Sequence, residues 1–233
     1  MARAKPARRS VETKKSGRKA GSAAERSRPR LFLVSPEDMA PTRLHEILSA
    51  ALQAGDAAAL LIAGDDRHQL RPRAEAVLPL GQAHNLAVLL NDCPELAAEL
   101  GADGVQIAAD LARYRHARGI LGNDRIVGAF CGRSRHAAME LGEAGAEYVA
   151  FDEAAPWVEN GTEPFSLLGW WAQVFEVPCV AFAPASEADL RRHVSLGVEF
   201  IRPADDMWRS PNAARDTIGR FNAVIDEVLR HEA

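Results

Sequence analysis

Carboxylates and an asparagine follow several apolar segments of this chain, which is where proteins built on parallel strands place their chemistry. Asn91 and Asp92 end one apolar run, and Asp110 comes shortly after the next one. Carboxylates that converge on one edge repel each other unless they are protonated, solvated or neutralised by a cation. The pattern indicates a site for Mg²⁺, which prefers oxygen ligands, or for a cationic ligand. Further carboxylates follow other apolar runs: Asp65, Asp66, Asp152, Asp205 and Asp206.

The same residues have a second interpretation that the sequence leaves open. Asp and Asn at strand ends commonly cap the loops and helices that follow. Cys131 and Ser134, after a later apolar run, are candidates for substrate binding. A lone thiol without an identified base is also typical of inert packing, and Ser134 directly precedes an amphipathic segment, as a capping residue does. No residue is assigned a catalytic role from the sequence.

Eight apolar segments, most of them followed by a helical pattern, must position these residues. This alternation within roughly 200–250 residues predicts a (β/α)₈ TIM barrel spanning residues 31–233, an α/β fold. A doubly wound open sheet is the alternative, but it normally carries a glycine-rich phosphate turn after its first strand, and LFLVSPEDMA has none. The predicted strands are residues 31–35, 58–64, 86–92, 104–108, 125–130, 147–151, 178–183 and 199–203.

Residues 1–30 differ sharply from the rest of the chain. They hold 11 Lys and Arg against Glu12 and Glu25, a charge of +9. Since the net charge of the whole chain is −4, the remaining 203 residues carry −13. They contain no Leu, Ile, Phe, Trp or Tyr, and a segment that buries so little apolar surface is predicted to be disordered. A solubilising tail and a polycation for anionic partners both fit. Nucleic acid is the less favoured partner because no aromatic residue is present to stack on bases.

Composition also limits where the protein works. No apolar run approaches the roughly 18 residues that span a membrane, and the N-terminus has no apolar region of a secretory signal. The three cysteines, Cys93, Cys131 and Cys179, show no CxxC spacing. Reduced thiols in a cytoplasmic protein are therefore expected, with neither a disulfide framework nor a zinc site.

From about Leu31 to Val228 the chain resembles the thiamine phosphate synthase/TenI family. Asn91-Asp92 match the Asn-Asp that ends the third strand of that family. Residues 101–105 read Gly-Ala-Asp-Gly-Val, as the family does in its next turn. Looser matches lie in the first, fifth and sixth strands. The resemblance implies a barrel enzyme that joins hydroxymethylpyrimidine diphosphate to a thiazole phosphate in thiamine biosynthesis and releases diphosphate.

The resemblance also implies roles for particular residues and a cofactor. Asn91 and Asp92 match the residues that serve the diphosphate and the metal in that family, and Asp110 matches the second metal aspartate if a one-residue gap is allowed. Mg²⁺ is the implied cofactor, and small phosphorylated molecules are the implied substrates. The sequence carries no indication of the oligomeric state.

The chain departs from the family at several diphosphate-binding positions. The family's Gln-x-Arg-x-Lys on the second strand is replaced by an apolar run that ends in Asp65-Asp66, and its Pro-Thr-x-Thr-Lys aligns with residues 156–160, PWVEN. Its Gly-Gly pair is replaced by Ala183-Pro184, and proline has no N–H to offer a phosphate. A like-charge pair at about 4 Å costs on the order of 4 kcal/mol. These losses favour an alternative function: a catalytically inactive paralogue that acts as a ligand- or cation-binding or regulatory barrel.

Overall fold

Eight parallel strands close into a barrel in the computed structural model, which describes residues 27–152 and 166–232. The last strand pairs with the first through Arg30 with Phe200 and Leu31 with Ile201, so the predicted barrel is confirmed and the open-sheet alternative is wrong. In chain order the strands are β1 Arg30–Val34, β2 Ala59–Ile62, β3 Ala87–Asn91, β4 Gly104–Ala108, β5 Ile126–Gly132, β6 Val149–Phe151, β7 Cys179–Phe182 and β8 Phe200–Arg202.

Helices follow each strand on the outside of the barrel. The predicted cap at Ser134 is confirmed, since its hydroxyl accepts a hydrogen bond from the first turn of its helix, and Ser186 caps its own helix in the same way. A short 3₁₀ helix, Asp205–Arg209, follows β8. Within the described residues the helices are α1 Pro41–Ala54, α2 Arg67–His84, α3 Pro94–Leu100, α4 Leu111–Leu121, α5 Arg135–Ala144, α6 Leu167–Val174, α7 Glu187–Leu196 and α8 Pro211–Glu232.

Alternating residues of the strands build two separate apolar clusters. The outer cluster contains helix and strand residues together and fills the layer between barrel and helices. The inner cluster is made of residues in or next to strands, so it fills the inside of the barrel. Both faces of each strand are therefore buried, which explains the nearly continuous apolar runs in the sequence. The buried residues of the inner cluster are Phe32, Ala59, Leu61, Leu89, Tyr148, Ala150 and Val180.

Tyr148 is the central polar group of the barrel interior. Its hydroxyl donates to Gln106 Oε1 at 3.2 Å, and its ring meets Phe32 edge-on with centroids 5.3 Å apart. Burial raises the pKa of Tyr148 well above its ordinary value, with a smaller contribution from Glu147. The ring has room only because residue 128 is glycine, where a Cβ would lie 2.1 Å from ring atoms of Tyr148.

Arginines fasten the start of the described chain to the N-terminal end of the barrel. Both Nε and Nη2 of Arg30 donate to the Asp56 carboxylate, at 2.7 and 2.8 Å, and these bonds hold the pKa of Asp56 below its ordinary value. Arg28 donates to Asp226 and Asn222 of α8 at 2.7 and 2.8 Å. Arg28 and Arg30, which the sequence analysis counted with the tail, thus contact the barrel. Residues 1–26, for which disorder is predicted, lie outside the described residues.

Within the described part of the chain, none of the helices combines the length and apolarity needed to cross a membrane.

Replacing Gly128 with alanine tests the packing of the barrel interior. The added methyl group would overlap the Tyr148 ring, so Gly128→Ala should lower the free energy of unfolding by about 1–3 kcal/mol. Gly119→Ala is the matched control, since a Cβ at this position of α4 meets nothing within 4 Å. Alanine there should raise stability by about 0.5–1 kcal/mol through helix propensity. Urea unfolding of both variants measures the difference, and equal effects would contradict this packing.

Candidate functional site

The site lies at the C-terminal end of the barrel, called the mouth below. Parallel strands deliver the residues after each strand to this one end, and the connections between strand and helix shape it. Asn91 is the last residue of β3, and Asp92 follows it directly. Asp110 precedes α4, and Ser134 precedes α5. The structure therefore places these four predicted site residues at the mouth.

Asp92 and Asp110 meet at a third residue, Arg113, in the first turn of α4. The Arg113 guanidinium forms an ion pair with Asp92 Oδ2, while the Arg113 backbone N–H donates to Asp110 Oδ1 at 2.8 Å. Asp92 is held in the left-handed region at φ 45°, and its N–H donates to Gln106 O at 2.8 Å. The two carboxylates predicted to hold a metal thus contact the same arginine, Asp92 through its side chain and Asp110 through its backbone N–H.

Asn91 is oriented by the neighbouring strand. Its side-chain Nδ2 donates to the carbonyl oxygen of Gly64 at 3.3 Å, and it pairs in register with Gln106 of β4. The alternation along β3 places Asn91 on the same side as Leu89, a residue of the inner cluster. Its amide therefore belongs to the inward-facing layer of the mouth.

The side chains of Cys131 and Ser134, predicted to contact a substrate, instead contact other parts of the protein. Cys131 is 4% exposed and belongs to the outer cluster, so its thiol faces the helices and contact with a substrate would have to come from its backbone. Burial raises the pKa of Cys131 to about 12, which keeps the thiol protonated and unreactive at neutral pH. The Ser134 hydroxyl accepts from Ala137 N at 3.2 Å and caps α5.

Arg202 is a residue of the mouth that the sequence analysis missed. It ends β8 two residues after Phe200, which packs on the inner cluster, so it faces inward. Its guanidinium lies 4.8 Å from the ring centroid of Phe182, and that ring stacks on Phe130 at 5.3 Å. It also forms an ion pair with Asp205 at 2.6 Å. A charged residue at an inward position of an apolar strand was the available signal.

Arg73 is a second missed residue, and it links the loops after β1 and β2. The residue is 3% exposed, and its guanidinium donates to Ser35 Oγ at 2.7 Å and to the carbonyl oxygens of Ala63 and Glu37, both at 2.8 Å. It also donates to Pro36 O. Burial lowers the pKa of Arg73, against the opposing effect of the carboxylates of Glu37 and Asp38. An arginine on the apolar face of α2, between Leu70 and Ala74, was the sequence signal.

Several carboxylates of the mouth are neutralised by arginines or cap helices of the chain itself. Asp92 pairs with Arg113 and Asp205 pairs with Arg202. Asp66 accepts from His68 N at 2.8 Å as the cap of α2, and helix N-termini stabilise negative charge. The predicted repulsion between carboxylates is thus reduced by arginine side chains and helix N-termini.

Some sequence features fall elsewhere. Trp170 and Trp171 lie on α6 and pack on the barrel, and Trp208 is 4% exposed in the outer cluster. Residues 156–160, including Trp157, lie outside the described residues. Across the described ranges there is no cluster of three or more His, Cys, Asp or Glu side chains able to hold a metal ion.

A cavity of about 260 Å³ adjoins the mouth between the loops after β7 and β8 and the first half of α8. In barrels of this type, phosphate groups frequently bind near the loops after the seventh and eighth strands. Among the described residues that line the cavity, Arg220 is the only cation, and Glu187 and Asp206 are the carboxylates. Its size suits a small polar group better than a whole drug-sized ligand.

Comparison with known proteins identifies the family to which this architecture belongs. The family model for thiamine monophosphate synthase matches residues 31–202. The chain belongs to the thiamine monophosphate synthase family. It is 37% identical to the thiamine-phosphate synthase of Rhodospirillum centenum, over 84% of this chain and 97% of that protein. It is 36% identical to the thiamine-phosphate synthase of Erythrobacter litoralis, over 79% and 90% of the two chains.

Solved structures agree on the fold of this family member. The thiamine phosphate pyrophosphorylase from Pyrococcus furiosus superposes with a TM-score of 0.70 at 20% identity, covering 88% of this chain and 98% of that one. At this identity the likeness concerns the barrel fold alone.

Truncating Arg73 tests its role in joining the two loops. Arg73→Met removes the donors to three partly buried carbonyl groups and should lower the free energy of unfolding by about 2–4 kcal/mol. Arg71→Met, on the same helix, removes an exposed arginine that pairs with Glu99 and Glu75, and should leave the unfolding midpoint nearly unchanged. Chemical denaturation of both proteins compares them, and a mild effect of Arg73→Met would contradict the linking role.

The three cysteines should differ in reactivity. At pH 8 iodoacetamide should alkylate Cys93, which is partly exposed, and leave buried Cys131 and Cys179 unmodified. Because the pKa of Cys131 is raised to about 12, its thiolate stays scarce up to about pH 10. Intact-protein mass spectrometry should show one adduct on the native chain and three after unfolding. Rapid labelling of native Cys131 would contradict the placement of its thiol.

Proposed function

We propose that this chain synthesises thiamine phosphate by joining hydroxymethylpyrimidine diphosphate to a thiazole phosphate, with release of diphosphate. Family membership supports the reaction. The observation that carries the proposal is that Asp92 and Asp110, from two different strand ends, meet at Arg113 beside Asn91. This group combines oxygen ligands, a cation and an amide at one edge of the mouth, which is what a diphosphate and its metal require.

Mg²⁺ is part of this proposal, and the donor set fits it. Mg²⁺ usually keeps several waters and binds through one or two carboxylates together with substrate phosphates, so a dense protein cluster is not required. Asp92 and Asp110 each use one oxygen toward Arg113 and, among the described residues, form no hydrogen bond with the other. These two residues would hold the ion. The bound ion would neutralise charge on the diphosphate.

The chain's own groups supply the remaining electrostatics. Departure of diphosphate leaves negative charge on its oxygens, and preoriented cations and amides stabilise such charge. Arg113 lies next to the two carboxylates, with its side chain 56% exposed and so accessible to a substrate. Asn91, oriented by Gly64, can donate to a substrate oxygen. Arg220, in the cavity beside the mouth, is the cation we propose for the second phosphorylated substrate.

A cytoplasmic location completes the proposal. All three cysteines are free thiols, which suits a reducing compartment.

A second candidate function is a binding or regulatory barrel without this activity. The observation in its favour is that Asp92 and Asp205 already have arginine partners. In addition, Pro184 withholds a backbone N–H from the loop after β7, and exposed Asp65 follows β2. On this view the mouth takes a cation or a small ligand and catalyses nothing.

An activity assay with matched variants separates the two candidates. With both phosphorylated substrates and Mg²⁺, the protein should form thiamine phosphate, and EDTA should abolish the reaction until Mg²⁺ is restored. Asp92→Asn should lower kcat/KM by about 100-fold or more, since it removes a charge from the proposed metal site. Asp124→Asn is the matched control, because Asp124 is exposed in the loop before β5 at the opposite end of the barrel.

Two outcomes would contradict the synthase proposal or the role of Asp92 in it. Absence of thiamine phosphate at every enzyme concentration would remove the synthase proposal and favour the binding barrel. Equal losses in Asp92→Asn and Asp124→Asn, with both proteins folded by circular dichroism, would refute the role of the mouth carboxylate.

A further inference from the structure

Arg202 has an incompletely used hydrogen-bonding edge in a largely buried setting. Its side chain is 18% exposed, and its Nη2 donates to Asp205 at 2.6 Å. Its Nε is buried and has no hydrogen-bond partner among the described residues. Buried donors of this kind are rare because each loses its hydration without compensation, so an unsatisfied one calls for an explanation.

Arg30 in the same chain shows what a complete pairing looks like. Its Nε and Nη2 both donate to Asp56, at 2.7 and 2.8 Å, so the two donors on one edge of the guanidinium take both oxygens of one carboxylate. This two-point geometry is the strong form of arginine recognition. At Arg202, only Nη2 of the same edge donates to Asp205, and Nε has no partner in the described part of the chain. One of the two donors on this edge is therefore unused.

The surroundings define how a ligand would reach Arg202. One face of the Phe182 ring lies against Phe130, and the Arg202 guanidinium lies over Phe182 as well. The aromatic pair holds the guanidinium by a cation–π contact and restricts its orientation. A ligand therefore meets the edge of the guanidinium. Asp205, whose side chain is 68% exposed, is the group that a ligand would displace.

We propose that the Arg202 edge is a binding site for the carboxylate of a small-molecule ligand, and that Asp205 occupies it in the ligand's absence. A ligand carboxylate would take both Nε and Nη2, whereas Asp205 takes one. A carboxylate fits better than a phosphate because Asp205 and Asp206 are adjacent, and a dianion is repelled about twice as strongly as a monoanion. The site does not depend on the synthase reaction, and it adds a binding group on the β8 side of the mouth.

The test titrates the full-length protein with acetate, benzoate and inorganic phosphate. Binding is followed by calorimetry and by the ¹H–¹⁵N signals of arginine Nε–H groups, with the Arg202 signal identified by its loss in Arg202→Met. Saturable acetate or benzoate binding should shift that signal. Arg202→Met should weaken carboxylate binding about tenfold or more, in line with the loss of charge-assisted hydrogen bonds.

The discriminating comparison uses two neighbouring aspartates. Asp205→Asn removes the internal occupant and should tighten carboxylate binding by about fivefold, the upper range for an exposed ion pair. Asp206→Asn changes the net charge equally but leaves the ion pair between Asp205 and Arg202 in place, so it should change affinity by less than about twofold. Asp205→Asn leaves the apolar contacts of the 3₁₀ helix in place and remains informative if Arg202→Met does not fold.

Four results would overturn the proposal. Equal effects of Asp205→Asn and Asp206→Asn would reduce it to general electrostatics. Unchanged binding in folded Arg202→Met, or no saturable carboxylate binding to either wild type or Asp205→Asn, would remove the site. Tighter binding of phosphate than of either carboxylate, with the same dependence on Arg202 and Asp205, would assign the edge to phosphate instead.

Discussion

Pairing of arginine with carboxylate at the mouth is the interaction on which the rest of the site depends. Eight parallel strands direct their C-terminal ends to one place, and this chain follows many of them with aspartate. In a partly desolvated mouth those charges would oppose folding. Arg113 from α4 and Arg202 from β8 compensate Asp92 and Asp205. The mouth is consequently a set of paired charges that ligands can rearrange, and it differs from the uncompensated acidic surface that the sequence suggests.

The arginines of this barrel fall into two physical kinds. Arg30 donates most of its hydrogen bonds to Asp56, and Arg73 donates most of its own to loop carbonyls. Both arginines therefore hold loops together. Arg113 and Arg202 each pair through their side chains with one carboxylate that solvent also reaches. Arginine of the first kind confers stability, and arginine of the second kind confers the capacity to exchange partners.

The sequence predicted the architecture better than the site. All eight strands and the serine caps at Ser134 and Ser186 were predictable because apolar alternation and capping are local patterns. The outward direction of Cys131 is likewise what alternation along β5 predicts. The ion pair between Asp92 and Arg113 was not predictable, since the two residues lie 21 positions apart. Pairing of β3 with β4 brings them together. Residues 156–160 lie outside the described residues.

The anchoring of Arg28 has a practical meaning for how the molecule can be handled. Its partners, Asp226 and Asn222, lie on α8, and Arg30 beside it pairs with Asp56 before β2, at the end of the barrel opposite the mouth. Arg28 therefore lies at the back of the molecule. A fluorophore or crosslinker attached to this end of the barrel would leave the mouth open, so the protein could be immobilised by its back with its ligand-binding end facing solution.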